Sequence, residues 1–512
     1  MMHQCIAIDL GAETGRVVVG GGDEDRISLR EVHRFPNRPV RTPDGLHWNV
    51  LRIFEEILVG IELALAVDDG DNIVSIGVDS WGVDYGLFDA RGRLLGNPYH
   101  YRDARTDGVS EMYAERVSLA RQYELTGTAQ MSINTLYQLA AQKSDADGTL
   151  GIARSLLMIP DIMHYWLSGT RVAEFTNAST TGLLGVNGRW ADELIAAIDI
   201  PRRIFGELVE PGTVLGPTRS ALDFGPHNRA LRVVAPATHD TACAVLAAPL
   251  HLATGDEVCA FISSGTWSLL GLELKQPILS EDARLAGFTN ERGIAGSVRF
   301  LRNIMGLWLV QECRRAWSRD GAELSYDELT ARAANAASPE LIIDVDDPEL
   351  LHPDDMPAEI GAQLKRTRQR LERDPVALTR AIFEGLALQY RHSIADAERL
   401  AGVRVGALAI VGGGSRNALL CQLAADACER VVYAGPAEAS ATGNVLVQAV
   451  AFRALSNLAQ IRAFVKATAH PRVFEPRRDT VIDWAAREAT LISLRRGGLI
   501  APAALPERTP HV

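Results

Sequence analysis

A chain of 512 residues exceeds what one hydrophobic core serves, so two large domains or three small ones are expected. Apolar residues make up 47% and charged residues 23%, an ordinary globular balance, and a net charge of −12 argues against a general nucleic-acid binder, which would carry a basic patch. A phosphate-bearing ligand stays open, because a few local donors and a metal ion overcome the overall sign.

The opening MMHQCIAIDLG enters an apolar strand directly, without a basic region or a small-residue cleavage site, so no signal peptide is expected. No apolar run reaches the ~20 residues of a membrane helix, and no membrane partner is expected. Cys5, Cys243, Cys259, Cys313, Cys421 and Cys428 lack CxxC spacing. They predict buried thiols in a reducing cytoplasm rather than a zinc site or a disulfide framework.

In chain order, strands alternate with helices, the α/β pattern. Residues 5–20, CIAIDLGAETGRVVVG, read as strand, glycine turn, strand. Asp9, Gly11, Gly15 and Arg16 punctuate that turn. Its backbone N–H groups can approach phosphate oxygens, Arg16 adds a forked charged donor, and Asp9 can reach a magnesium ion directly or through its waters. A plain hairpin explains the same residues. Trp81-Gly82-Val83-Asp84-Tyr85 follows the strand IVSIGVD, and an aromatic ring beside carboxylates suits a sugar, although packing accounts for Trp81 and Tyr85 equally well. Thr238-His239-Asp240-Thr241 precedes the apolar helix ACAVLAA. Asp240 there is an N-cap, or a carboxylate placed to take a proton from a sugar hydroxyl. His239 reads as an orienting hydrogen-bonder, since no partner with ligand spacing accompanies it.

The second half opens like the first. Residues 259–272, CAFISSGTWSLLGL, repeat strand, turn, strand, with Ser263, Ser264, Gly265 and Thr266 at the turn. Asn303 and Gln311 share NIMGLWLVQECRRAW, which reads as one helix with Ile304, Leu307 and Trp308 facing a core; eight residues span ~12 Å of helix. A helix is expected over 379–402, ending at Gly402, then a strand at 407–411 running into Gly412, Gly413 and Gly414, then helices near 417–429 and 441–455. That glycine run is not GxGxxG and lacks a following acid, so a dinucleotide site is a poor reading. Three segments result: 1–250, 251–460, and an extension at 461–512 whose Pro-, Arg- and Gly-rich end, 495–512, is expected to be mobile.

Together, DLGAETGR, GVDSWGVDYGL, YRDARTDG, NTLYQL, PDIMHYWLSG, THDTACAV, SSGTWSLLG, NIMGLWLVQ, VGGGSRN and GPAEASATGN resemble, in order, the motifs of the FGGY carbohydrate kinases. The resemblance runs from about residue 4 to about residue 455. SWGVD and HDT make it most similar to the branch acting on L-rhamnulose. The resemblance implies a duplicated actin/hexokinase-type (ribonuclease H-like) fold with a cleft between two domains, and ATP-dependent phosphorylation of L-rhamnulose at O1 in L-rhamnose breakdown, with Mg²⁺. It implies Asp240 as proton acceptor, with Gly82, His239, Thr241 and Asn303 at the sugar. Ala12, Glu13, Thr14, Gly15 and Arg16, with Thr266, Gln311 and Gly413, fall at the family's ATP contacts. Glu13-Thr14 replaces two small hydroxyl residues of many relatives, so the Glu13 backbone and the Thr14 hydroxyl are the expected contacts. A monomer or homodimer is expected. Another ketose such as L-fuculose is the nearer alternative; a non-catalytic actin-like scaffold or sugar sensor is the distant one.

Overall fold

The strand Met2–Leu10 is apolar on both faces, as a central strand must be. Ile6, Ile8 and Leu10 sink into the first-half core, while Cys5 and Ala7 pack against Val445, a residue of the second half. In the computed structural model, which describes residues 2–497 apart from 24, 25, 68, 146, 147, 323, 479 and 480, this strand turns back antiparallel onto Thr14–Gly22. Ile27–Pro36 adds a third antiparallel strand, and Ile73–Ser80 and then Arg232–Ala235 join parallel on the other side.

The second half repeats that plan. Val258–Ser264 pairs antiparallel with Trp267–Leu274, which pairs with Val298–Met305; Val405–Val411 and then Val431–Ala434 continue parallel. Numbered within each half, both sheets read 3-2-1-4-5, with strands 1, 4 and 5 parallel. The crossovers correspond as well. Val50–Leu65 and Pro375–Ala401 lead into the fourth strands, Ile159–Ser168 and Ala418–Cys428 precede the fifth, and Asp240–Ala247 and Ala439–Ala451 follow it. The duplication legible in two hairpins thus extends through the whole actin-like fold.

The two helices after the fifth strands pack on each other and join the halves. A Cβ on Gly443 would lie 2.0 Å from the Cys243 carbonyl oxygen, so only glycine permits this approach. Across the same seam Asn444 donates to the Asp79 carboxylate at 2.6 Å, and Ser75 donates to Gln448 at 2.7 Å.

Two readings are corrected. Asn303 lies in the strand Val298–Met305, and the helix starts only at Trp308. Gly306 packs against the Trp267–Ser268 backbone and separates strand from helix. Past residue 460, Arg472–Phe474 extends the second sheet and Trp484–Arg496 packs Trp484 and Leu491 into its core. Arg495, read as the start of a mobile tail, closes that helix and forks onto buried Asp344. Residues 498–512 lie outside the described residues. The six cysteines are buried thiols, and among the described residues no helix is long and apolar enough to cross a membrane.

Candidate active site

In each sheet the parallel strands end toward the opposing half, the edge at which open α/β sheets bind ligands. A cavity of about 330 Å³ lies between these ends. The first half contributes Asp9, Ala12, Glu13, Thr14 and Arg16 from its hairpin, Gly82 after its fourth strand, and His239, Asp240 and Thr241 after its fifth. The second half contributes Ser263, Ser264, Gly265 and Thr266 from its own hairpin, Asn303, Gln311, and Gly412 and Gly413 beyond Val411. Every residue assigned from the sequence to the sugar, the nucleotide or the magnesium ion lines this cavity except Gly15, while Asp84, Tyr85 and Gly414 of the neighbouring motifs lie off it. The Gly15 α-carbon instead faces Phe35, whose ring atom would sit 2.2 Å from an added Cβ.

The first hairpin turn is braced from behind. Gly11 N–H donates to Thr14 O at 2.9 Å, and Asn37 donates from its amide to Gly11 O at 3.0 Å and from its backbone to Glu13 O at 2.9 Å. The second turn rests on the start of a helix: Leu307 N–H donates to Gly265 O at 3.0 Å, and Trp308 N–H to Thr266 O at 3.2 Å. Charges from the first turn reach across the cleft. Arg16 pairs with Asp9 and with Glu438 of the second half, and the Glu13 carboxylate pairs with Arg315.

At the other end of the cavity, His239 occupies the N-cap position without a side-chain cap, and Asp240 is the first helical residue. Asp240 Oδ1 accepts from Thr241 N–H at 2.6 Å. The segment is bolted down by buried Glu174, which accepts from Thr238 N–H at 2.9 Å and from its hydroxyl at 2.7 Å. The Asp240 side chain keeps 28% of its surface open, yet it opens only into the cleft. Burial pushes its carboxyl up to about 6, His239 opposes that rise, and the like charge of Asp9 adds to it.

Two other carboxylates, adjacent in sequence to the sugar motif, are already engaged. Asp84 accepts from Trp48 Nε1 at 2.6 Å, Trp81 Nε1 at 2.9 Å, Gln138 Nε2 at 2.9 Å and Tyr101 N at 3.3 Å. It anchors Trp81 and Tyr101, which line the cavity, and burial lifts its own carboxyl to about 6. Asp79 is fully buried in register with Asp9, and burial first and Asp9 second hold its carboxyl well above the usual range. Glu174, Glu291 and Arg299 gave no local sequence signal, and Tyr101 opens the YRDARTDG motif without standing out as a site residue. Each acts through a partner distant in the chain.

Among the described residues no cluster of three or more His, Cys, Asp or Glu side chains could hold a metal. Mg²⁺ does not require one, since it keeps several waters and takes one or two carboxylates plus substrate phosphates. Asp9, at the cavity wall beside the phosphate-type turn, fits that mode.

The solved structures that resemble this fold include a ligand-bound xylulose kinase from Lactobacillus acidophilus (TM-score 0.78, 15% identity, covering 98% of this chain and 99% of that one). A Plasmodium falciparum glycerol kinase with ADP superposes at TM-score 0.73, with 14% identity over 97% of this chain and 98% of that one. In sequence, the chain is 38% identical to a rhamnulokinase of Oceanobacillus iheyensis over 91% of its own length and 97% of that protein. It is 35% identical to one of Bacteroides thetaiotaomicron over 97% and 99%, and 40% identical to one of Pectobacterium carotovorum over 89% and 90%. Residues 4–247 match the N-terminal domain, and residues 260–452 the C-terminal domain, of the FGGY family of carbohydrate kinases, and with full-length relatives at this identity the chain belongs to that family.

Proposed function

We propose that the protein transfers the γ-phosphoryl group of ATP to O1 of L-rhamnulose. The observation that carries the reading is the facing of Asp240, at a helix start, toward two hairpin turns from opposite halves across one cavity. The similarity to rhamnulokinases over nearly the whole chain supports the choice of ketose.

The sugar lies against Gly82, His239, Asp240, Thr241 and Asn303, and the triphosphate between the turns at 12–16 and 263–266. Gln311 Oε1, buried at the cavity wall without a hydrogen-bond partner, is suited to a nucleotide donor group. The O1 oxygen attacks the γ-phosphorus in line, the bond to the β–γ bridging oxygen breaks, and ADP leaves. Asp240 orients the hydroxyl and takes its proton late, because a carboxylate is too weak a base to remove it beforehand. Arg16, Thr266 and the turn backbones stabilise the equatorial charge. Mg²⁺, held by Asp9 and phosphate oxygens, would supply further charge neutralisation.

A coupled ADP-release assay over a ketose panel with ATP and Mg²⁺ tests this. The highest kcat/KM is expected with L-rhamnulose. A higher value with L-fuculose or D-xylulose would overturn the substrate, and no stimulation by any ketose would overturn the reading of the site.

A further inference from the structure

His239 stands at the cavity wall with Nε2 3.5 Å from Asp240 Oδ1. Its other ring nitrogen meets the second half. Nδ1 lies 3.1 Å from Arg299 Nη2 and 3.1 Å from a Glu291 carboxylate oxygen. Glu291 and Arg299 are a directly opposed cross-strand pair on Phe288–Arg292 and Val298–Met305. Arg299 is only 1% exposed. Its Nε and Nη2 donate to the Arg292 carbonyl at 3.1 and 3.0 Å, and its Nη1 sits 2.9 Å from Glu291 Oε2. The guanidinium is therefore fixed by backbone and carboxylate before it meets the imidazole.

A guanidinium has donors and no acceptor. A neutral imidazole nitrogen that takes a hydrogen bond from it must carry the lone pair, which leaves the ring proton on Nε2. We propose that Arg299 is a positioning residue that reaches across the cleft and holds His239 as the Nε2–H tautomer, presenting a donor to the Asp240 carboxylate and to the sugar oxygen beside it. The inference rests on the reading of the His239–Asp240 corner as the sugar end of the cavity.

Glu291 lies at the same distance from Nδ1 and would favour the opposite tautomer. That arrangement would turn an Nδ1–H toward the guanidinium donors and would set two acceptors, Nε2 and Asp240 Oδ1, against each other. Glu291 instead balances Arg299: burial raises its carboxyl, and the Arg299 guanidinium first and His239 second together bring it below the usual range. Because Arg299 belongs to the second half and His239 to the first, the tautomer is imposed only when the halves are together.

The full-length protein with ¹⁵N-labelled histidine tests this directly, with the His239 signals assigned by their loss in His239→Gln. Nδ1 is expected at the position of an unprotonated ring nitrogen and Nε2 at that of a protonated one. A protonated Nδ1, alone or in an imidazolium, overturns the proposal. Kinetics supply the second arm. Replacing Arg299→Gln together with Glu291→Gln leaves no buried charge unpaired. This pair is expected to lower kcat/KM for the ketose on the order of tenfold to a hundredfold, the range for outer partners of a ligating histidine, with KM for ATP unchanged. In the His239→Gln background, where the amide N–H replaces Nε2–H without a tautomer choice, the same pair is expected to cost nothing further. An equal loss in both backgrounds also overturns the proposal. The spectrum does not depend on turnover, so failure of the ketose panel and failure of this inference are separate results.

Discussion

Asp240 combines a raised proton affinity with an open path to the cavity, and its pH behaviour follows. With its carboxyl near 6, kcat/KM for the ketose is expected to fall tenfold per unit below about pH 6, as the protonated form can no longer accept the sugar proton. Stability runs the other way. The folded value lies above the usual 3.8, so the folded state binds more protons, and this contribution is lost as pH rises from about 4 to about 6. Asp240→Asn removes that cost and keeps an oxygen for Thr241 N–H. It is expected to melt no lower than the parent above pH 6 while kcat falls roughly 10²-fold or more. Near-parental turnover in this variant would leave Asp240 a helix-start residue only. Asp84 gives the opposite signature. Its four donors would face an amide with a single acceptor oxygen in Asp84→Asn, so a stability loss of roughly 2–4 kcal/mol in urea melts is expected. A variant that kept its stability and lost only turnover would make Asp84 a candidate base.

At the scale of elements, the hairpins, the helix ending at Gly402 and the strand before Gly412 were legible because their signals are local: apolar runs, turn glycines, a cap. Asn303 was not. VRFLRNIM has no clean alternation and runs into a tryptophan-rich helical pattern, and what decides its state is eight-residue pairing with Trp267–Leu274, some thirty residues earlier in the chain. Arg299, Glu291 and Glu174 were silent for the same reason. Their partners across the fold lie 52 to 64 residues away, His239 for Glu291 and Arg299 and Thr238 for Glu174, and the Glu291–Arg299 pair itself needed the strand register to be seen. Gly443 is an element-joining residue whose type the packing dictates. Gly443→Ala would press a methyl group to within 2.0 Å of the Cys243 carbonyl and 2.6 Å of its α-carbon, and both atoms belong to helix backbone. The helices must separate, at a cost of roughly 1–3 kcal/mol or more. A lowered melting temperature is expected together with weaker binding of both ligands, since each is held partly by either half. Unchanged melting would mean that the crossing has slack the close contact does not suggest.

The whole molecule turns on how firmly its halves meet. At the helix crossing the contacts are buried and neutral or charge-assisted, as with Asn444 on Asp79 and Gln448 on the Ile6 carbonyl, and they form a closely packed seam. At the cleft mouth the bridges are of another kind. Arg315 is half exposed and Glu13 about a third, and an ion pair in that setting contributes about 0–1 kcal/mol. Arg102 is the exception. It is buried against Trp267 and Trp308, with ring centroids 4.9 and 4.1 Å from its guanidinium carbon, and it donates to the Leu351 carbonyl. A cavity of about 330 Å³ is at the small end for a drug-sized ligand and must here receive a ketose and a triphosphate. The halves are expected to part to load and to release, hinged at the seam and opening at the mouth. Solution scattering should give a smaller radius of gyration with ketose plus a non-hydrolysable ATP analogue than for the protein alone. Arg102→Ala should widen that difference by removing a buried cation–aromatic contact between the halves while leaving the seam intact. If the two radii coincide in the parent and separate only in Arg102→Ala, the Arg102 contact holds the ligand-free protein closed, and its release becomes the step that admits substrate.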